Sequence, residues 1–261
     1  MLFAIDVGNT NIVLGIFEGE TLRAYIRLTT ATERSRDEYG MLFLDFLKYR
    51  GVRVEDLEAT IISSVVPQAM YSLERAVEEY IGHAPIVVNN GMDLGLTIRY
   101  DNPKELGTDR LVNVVSALHT YGGPLIVVDF GTATTFCAVT EKGEYLGGAI
   151  CPGIKIGAEA LYQRTAKLPK IELVVPEKSI GTNTVNAMQS GVVFGYTGQV
   201  DYIVKRMKEE MGAPHAKVIS TGGLARMITE ISDTIDTYDA MLTLNGLRLI
   251  YARIKGDANV Q

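Results

Sequence analysis

The chain contains little cysteine and little histidine, and this limits the sites that it can build. Its 261 residues include two cysteines, Cys137 and Cys151, and three histidines. Two thiols are too few for a disulfide framework or for a structural zinc site made of cysteines. We therefore expect both cysteines to be small apolar side chains, and we expect no histidine-rich metal site.

The chain also lacks an excess of positive charge. Lys and Arg total 25, Asp and Glu total 31, and the formal net charge at pH 7 is −6. A partner that is held through phosphate neutralisation needs a protein of the opposite sign, so nucleic acid is not an expected partner.

Long hydrophobic runs are missing as well. No apolar segment approaches the ~18 residues that a membrane-spanning helix needs, and residues 1–6 lack the basic region of a signal peptide. These observations predict a cytoplasmic protein with no membrane partner. Hydrophobic residues make up 47% and charged residues 21%, close to the globular average, which excludes a disordered chain.

What the sequence does contain is one strand pattern that occurs twice. A short apolar run leads into Asp6-Val7-Gly8-Asn9-Thr10-Asn11, and a second strand, a Glu-Gly-Glu turn and a third strand follow. A similar run leads into Asp129-Phe130-Gly131-Thr132-Ala133-Thr134 and continues in the same way. A repeat at about half the chain length indicates a duplicated domain rather than a solenoid.

Helix signals occur in both halves. Ser35 and Glu38 form a predicted capping box, Pro67 can open a second helix, and Thr108 caps a third. Later helices are predicted at about 183–211 and 242–254.

The predicted fold is therefore α/β. We expect two homologous halves, residues 1–115 and 116–261, each a mixed sheet flanked by helices. Residues 256–261 are expected to fray.

The repeated motif suits phosphate and cation binding. An Asp at the end of a buried strand can hold a divalent cation or its waters, and successive main-chain N–H groups can form an anion-binding nest. Gly8 and Gly131 allow a sharp turn and leave room for a phosphate. A single copy is more often an ordinary strand turn. Two copies at equivalent points favour two hairpins that clamp a polyphosphate between the halves.

This arrangement resembles the phosphate-binding sites of the superfamily that contains acetate kinase, sugar kinases, heat-shock chaperones and actin. The resemblance implies that each half has the ribonuclease H-like form of the actin-like ATPase fold. The segment Thr221-Gly222-Gly223 follows a strand and precedes a helix. It is similar to the superfamily motif that lies against adenosine, although a glycine before a helix is common by itself.

A set of motifs in a fixed order makes the resemblance more specific. The chain resembles the type III pantothenate kinases, which phosphorylate pantothenate to 4′-phosphopantothenate at the first step of coenzyme A synthesis. The matching segments are residues 6–11, 62–67, 107–110, 129–135, 152–154, 181–184 and 221–223.

The resemblance implies a nucleotide and two kinds of metal ion. ATP would contact Thr132 and a first phosphate loop. That loop would consist of Asp6, Val7, Gly8, Asn9, Thr10, Asn11, Ile12 and Val13. Mg²⁺ would be held through water by Asp6, and a monovalent cation, K⁺ or NH₄⁺, would be held by Asp129.

The resemblance also implies an acceptor site and a homodimer. Asp109 would orient the pantothenate hydroxyl and accept its proton late in the reaction. An ordinary Asp, with a pKa of ~3.9, is too weak a base to remove that proton beforehand. The substrate-binding residues would be Tyr100, Gly107, Thr108, Asp109, Arg110 and Thr184. Gly191 and Gly195 lie four apart in a helical tract, and we expect them to form part of the dimer contact.

Without the resemblance, several of these residues have ordinary structural explanations. Asp109 would complement the dipole of its helix, Arg110 would be its solvated neighbour, and Tyr100 would be half-buried packing at the end of a strand at 96–100.

Three alternative functions remain open. The first is another small-alcohol or sugar kinase of the same superfamily. The second is a nucleotide-dependent assembly or chaperone-like protein, although such chains are much longer. The third is a regulatory paralogue without catalysis, against which the presence of Asp6, Asp109 and Asp129 argues.

Overall fold

The computed structural model describes residues 1–256, and these form two compact units. The first unit contains Met1–Gly95, Asn102–Ser116 and the C-terminal segment that begins at Leu242. The second contains Leu96–Asp101 and Ala117–Met241. The chain passes from the first unit to the second after Ser116, next to the predicted boundary at 115/116. The segment from Leu242 onward lies in the first unit and Leu96–Asp101 lies in the second, whereas the prediction places each in the other half.

Both units are built on a β-sheet. The strands are β1 (Leu2–Val7), β2 (Asn11–Glu18), β3 (Thr21–Thr29), β4 (Ala59–Ser64), β5 (Ile86–Val87), β6 (Thr97–Ile98), β7 (Leu125–Phe130), β8 (Ala133–Val139), β9 (Glu144–Pro152), β10 (Lys217–Gly222) and β11 (Thr237–Tyr238). The first sheet has the order β3-β2-β1-β4-β5 and the second the order β11-β10-β7-β8-β9-β6. In each sheet three consecutive strands pair antiparallel and a later strand pairs parallel with the first of them.

Helices cover the sheets. They are α1 (Arg36–Tyr49), α2 (Pro67–Ala76), α3 (Thr108–Tyr121), α4 (Ile154–Arg164), α5 (Thr184–Glu210), α6 (Ala225–Thr229) and α7 (Leu242–Lys255). The capping box of α1 is confirmed, with the Ser35 hydroxyl accepting from the Glu38 N–H and the Glu38 carboxylate accepting from the Ser35 N–H. The prediction missed α4, because the Pro152-Gly153 pair before it looks like a loop in the sequence.

The core of the first unit lies between its sheet and the helices α1 and α2. Phe3, Ile5 and Val7 of β1 pack there with Phe43 and Leu73. Alternate residues of a strand point to opposite faces, so Asp6 faces away from this core. The helix α7 packs against β1, β2 and β4, and its Leu244 occupies the space beside Gly15.

The core of the second unit has the same construction. Ile126, Val128 and Phe130 of β7 pack with residues of α4, α5 and α6, among them Ile154 and Val193. Asp129 therefore faces away from this core, as Asp6 does in the first unit. The strand predicted at 96–100 is reduced to β6, which pairs parallel with β9.

The predicted fold class is confirmed as α/β with two homologous mixed sheets flanked by helices. Of the predicted frayed segment, residues 257–261 lie outside the described part of the chain. No helix within residues 1–256 is long and apolar enough to cross a membrane.

Candidate active site

The first predicted phosphate loop is the turn between β1 and β2. The Gly8 N–H donates to the Asn11 carbonyl at 2.9 Å and closes the turn. Thr30, the residue directly after β3, holds the turn from outside. Its N–H donates to the Thr10 carbonyl at 3.0 Å and its hydroxyl to the Gly8 carbonyl at 2.6 Å.

The second predicted loop is the turn between β7 and β8. The Gly131 N–H donates to the Ala133 carbonyl at 3.1 Å. Gly153, the residue directly after β9, donates its N–H to the Thr132 carbonyl at 3.1 Å. A Cβ atom at Gly153 would collide with that same carbonyl oxygen. The turn and the start of α4 are therefore packed backbone against backbone.

Neither turn glycine is explained by an unusual conformation, and a side chain would be tight at Gly8 but an ordinary contact at Gly131. Neither Gly8 nor Gly131 has a positive φ. A Cβ at Gly8 would lie 3.2 Å from the Asn11 carbonyl oxygen, and a Cβ at Gly131 would lie 3.4 Å from that of Ala133. Glycine thus keeps the inner face of each turn open, as phosphate binding to main-chain N–H groups requires.

In the first unit Asp6 and Asp109 belong to one end of one sheet. Asp6 pairs in register with Ser63 on the parallel strand β4, so their side chains leave the sheet on the same face. The Ser63 hydroxyl donates to the Thr108 hydroxyl at 3.1 Å, which in turn donates to the Ser64 carbonyl at 3.1 Å. These bonds attach the first residue of α3 to the end of β4, and Asp109 follows it.

Asp109 is a partly buried carboxylate at the start of α3. Its Oδ1 accepts the Arg110 N–H at 2.8 Å and lies 2.6 Å from the position of a Cβ at Gly107. Burial raises the pKa of Asp109 above its usual value, and the Arg110 N–H and charge oppose that rise. The expectation of a solvated Arg110 is wrong, since only 7% of that residue is exposed.

In the second unit Asp129 lies beside the Thr221-Gly222 segment. Asp129 pairs with Thr135 on β8 and with Thr221 on the parallel strand β10. Gly222 has a φ of +99°, and a Cβ there would be 2.6 Å from the Asp129 Oδ1. The sequence connected this glycine only with a nucleotide base, whereas the structure shows that it makes room for the carboxylate.

The other predicted residues differ in what their side chains could reach. Val7 and Ile12 are buried in the core, so a contact with a nucleotide could come only from their backbone. Asn9, Thr10 and Thr132 are exposed on their turns. Asn11 and Val13 are partly exposed at the start of β2.

The predicted acceptor-site residues are divided between the units. Gly107–Arg110 belong to the first unit, while Tyr100 and Thr184 belong to the second. Tyr100 packs edge-on against Tyr145 with ring centroids 6.2 Å apart, which agrees with half-buried packing. Thr184 is the exposed first residue of α5, and its neighbour Asn183 caps that helix by accepting the Asn186 N–H.

Sequence reasoning missed the residues that hold the site in shape. Thr30 was not singled out, and Ser63 and Gly153 were noted only as parts of matching segments. A usable signal was present, because Thr30 and Gly153 occupy the same place in the repeat, one position after the third strand.

The donor set fits an ion that keeps part of its water shell. Among the described residues there is no group of three or more His, Cys, Asp or Glu side chains that could hold a metal ion alone. Single strand-end carboxylates such as Asp6, next to open turns of main-chain N–H groups, are the kind of site where Mg²⁺ binds through water and a nucleotide phosphate.

The family model of type III pantothenate kinase matches residues 2–206. The chain belongs to the type III pantothenate kinase family. It is therefore a phosphotransferase, and its kinase fold implies ATP together with a metal ion.

Solved structures show the same fold at low sequence identity. A Campylobacter jejuni protein described as a Baf family transcriptional activator is 19% identical, with a TM-score of 0.59, and the match covers 97% of this chain and 99% of that one. The activator of 2-hydroxyisocaproyl-CoA dehydratase from Clostridium difficile, with bound ADPNP, is 12% identical with a TM-score of 0.51, covering 97% and 94%. The ROK hexokinase of Thermus thermophilus is 13% identical with a TM-score of 0.54, covering 97% and 99%.

Proposed function

We propose that this chain transfers the γ-phosphoryl group of ATP to the primary alcohol of pantothenate, which yields 4′-phosphopantothenate and ADP. The observation that carries the proposal is the position of Asp109. This carboxylate is attached through Thr108 to the end of β4, next to the strand β1 that carries Asp6. Membership of the type III pantothenate kinase family supports pantothenate as the acceptor.

Asp109 orients the hydroxyl and receives its proton. One carboxylate oxygen, Oδ1, is engaged by the Arg110 N–H, and we assign the hydroxyl to Oδ2. The alcohol oxygen forms a bond to the γ-phosphorus while the bond from that phosphorus to the bridging oxygen of ADP breaks. The proton passes to Asp109 late in this process, because phosphoryl transfer goes through a loose transition state. The raised pKa makes Asp109 a better proton acceptor than an ordinary Asp.

The remaining roles follow the turns of each unit. The turn at residues 8–11 and Thr132 contact the phosphates through main-chain N–H groups and hydroxyls. Asp6 binds Mg²⁺ through water and Asp129 binds K⁺ or NH₄⁺, and these cations supply charge neutralisation for the phosphates. Tyr100 and Thr184 contact pantothenate together with Gly107–Arg110.

We also propose that the enzyme is a homodimer that uses the exposed face of α5. Added Cβ atoms at Gly191, Gly195 and Gly198 would find no described atom within 4 Å. A helix face without side chains allows another helix to approach closely. Sizing of a Gly195→Leu variant tests this, and an unchanged dimer would count against the face.

The central experiment uses purified protein with MgATP, K⁺ and pantothenate, and follows the product by mass. We expect 4′-phosphopantothenate, and a much slower reaction when K⁺ is left out. A panel of sugars and small alcohols as acceptors tests the alternative kinase function. Preference for one of these acceptors over pantothenate would reject the proposal.

The Asp109→Asn variant tests the role of the carboxylate. We expect kcat to fall by ~10²–10⁴-fold while the KM for pantothenate stays within a few-fold. Asp101→Asn is the matched control, because Asp101 is an exposed carboxylate on a neighbouring segment. Near-normal turnover of Asp109→Asn would remove Asp109 from the mechanism.

A further inference from the structure

The segment that leads into Asp109 is tied down by a side chain from another loop. The segment begins with a short 3₁₀ turn, Pro103–Glu105, and reaches Gly107 and α3 two residues later. The Asn90 amide Nδ2 donates to the Pro103 carbonyl at 2.6 Å and to the Leu106 carbonyl at 2.8 Å. One side chain therefore holds both ends of the turn that precedes the acceptor-site segment.

The orientation of the Asn90 amide is fixed by chemistry. Both partners are carbonyl oxygens, so only the NH₂ group can face them. The other atom, Oδ1, is buried and has no hydrogen-bond partner among residues 1–256. A buried acceptor without a donor is unfavourable. The two hydrogen bonds that the Asn90 NH₂ group donates therefore hold this side chain in place, although its Oδ1 accepts none from the described residues.

The loop that carries Asn90 is itself anchored. Arg253 of α7 donates to both carboxylate oxygens of Asp93, at 3.3 and 3.1 Å. Gly95 has a φ of +73°, and its missing Cβ leaves room for the Arg253 guanidinium. Asn90 consequently acts from a loop that is attached to a packed helix of the same unit.

We infer that Asn90 is a positioning residue for the phosphoryl acceptor site, which sets the segment 103–107 and, through it, the Asp109 carboxylate. The inference rests on the proposed function of Asp109. Gly107, at the end of this segment, lies directly against the Asp109 Oδ1. Movement of the 3₁₀ turn therefore moves Gly107 and changes the space in which the carboxylate sits. A misplacement of about 1 Å at a reacting group can cost ~10²-fold in rate.

The test compares Asn90→Ala and Asn90→Asp with Asn89→Ala. Asn90→Asp keeps the shape but replaces the donating NH₂ with an oxygen that repels both carbonyls. Asn89 is the matched control, since its side chain bonds to the Gly91 N–H and the Val87 carbonyl within its own loop. We expect kcat to fall about 10–100-fold in both Asn90 variants, while the KM for ATP changes less than about threefold.

Hydrogen exchange gives a second measurement that does not need activity. Amides of residues 104–110 are expected to exchange faster in Asn90→Ala than in the wild type, and those of α1 are expected to stay unchanged. A kcat within about twofold of the wild type or of Asn89→Ala would overturn the inference. So would a loss of activity that comes with uniformly faster exchange.

The proposed function is tested separately in the same series. If the wild type phosphorylates pantothenate and Asp109→Asn does not, the proposed function stands whatever Asn90→Ala does. If Asp109→Asn retains activity, the proposed role of Asp109 fails and the inference fails with it, whereas a wild type that does not phosphorylate pantothenate rejects the proposed function itself.

Discussion

The two hairpin turns, between β1 and β2 and between β7 and β8, differ in length but are held by the same kind of backbone hydrogen bond. Val7 pairs with Ile12, which leaves the four-residue turn 8–11, while Phe130 pairs with Thr134, which leaves the three-residue turn 131–133. In each case the residue after the third strand donates its N–H to the turn residue before the last. This backbone bond has been kept in both units although the loop lengths differ.

The side chains at the two supports differ, and so does their surrounding space. Thr30 adds a hydroxyl bond to Gly8, and α1 begins six residues later. Gly153 has no room for a side chain and is the N-cap of α4. The first turn is therefore held by separate hydrogen bonds, and the second by close packing against a helix start.

Among variants of the two turns, Gly153→Ala is expected to have the largest effect, because it disrupts the close backbone packing of the second turn. The backbone of Gly153, with φ −66° and ψ 154°, suits alanine, so any effect is steric. The added Cβ would meet the backbone of Thr132 and Gly131, which cannot move without deforming the turn. We expect kcat/KM for ATP to fall by about 100-fold or more, on top of an overpacking cost of ~1–3 kcal/mol in stability.

Thr30→Ala is the matched variant in the first unit. It removes one hydroxyl bond and keeps the N–H bond to Thr10, so a loss of about 1 kcal/mol, or roughly fivefold in kcat/KM, is expected. Equal losses in Thr30→Ala and Gly153→Ala would contradict the proposed difference between the supports.

The next prediction concerns the residue beside each strand-end carboxylate. Ser64 pairs with Val7 in the first sheet, and Gly222 pairs with Phe130 at the equivalent place in the second. Gly222→Ala forces a side chain at φ +99° and places its Cβ against the Asp129 Oδ1. We expect the K⁺ concentration for half-maximal activity to rise about tenfold, given a strain of ~1–2 kcal/mol in addition to the clash.

Ser64→Ala is its control, since Ser64 already has a Cβ and its hydroxyl bonds to the N–H and the carbonyl of Val66. Its K⁺ dependence should equal that of the wild type. An unchanged K⁺ dependence in Gly222→Ala would remove the proposed cation from Asp129.

A third prediction concerns Asp109, the second carboxylate of the candidate site in the first unit. Burial raises the pKa of Asp109, so above the unfolded value of ~3.9 the native state binds its proton more tightly than the unfolded state. Stability is therefore lost as the pH rises through this window, and the loss is complete above the folded pKa. Asp109→Asn should raise Tm at pH 7 by a few degrees while it lowers kcat by ~10²–10⁴-fold.

Thermal unfolding at several pH values checks this. The gain of Asp109→Asn over the wild type should shrink as the pH falls and should vanish below about pH 3, where the carboxyl is protonated in both states. A gain that is independent of pH would show that the charge of Asp109 is not its cause.

The sequence predicted the parts of the fold that follow from local chemistry. The repeated strand pattern, the capping box at Ser35 and the helix opened by Pro67 depend on neighbouring residues, and all three are present. The strand predicted at 96–100 is present as the shorter β6, but its partner could not be predicted, because the pairing with β9 joins residues 47 positions apart, Thr97 and Glu144. The grouping of α7 with the first unit is another long-range property that no local pattern contains.

The candidate site also has features that the sequence predicts and features that depend on long-range packing. Its motif residues were visible because their types and spacing carry the chemistry. The burial of Arg110 and the rise in the pKa of Asp109 were not visible, because they depend on how α3 packs. Asn90 could not be found from spacing, since its partners are backbone carbonyls, which every residue has.

The smallest expected effect lies behind the second turn, at Tyr196. Its hydroxyl donates to the Gly153 carbonyl at 3.1 Å, and the ring fills the space that Gly157 leaves open. Tyr196→Phe removes this one bond and leaves the Gly153 N–H on Thr132, so the turn keeps its direct support. We expect the KM for ATP to rise by roughly threefold, in line with a hydrogen bond worth about 0.5–1 kcal/mol. An increase like that of Gly153→Ala would mean that the hydroxyl, rather than the close backbone packing, holds the turn in place.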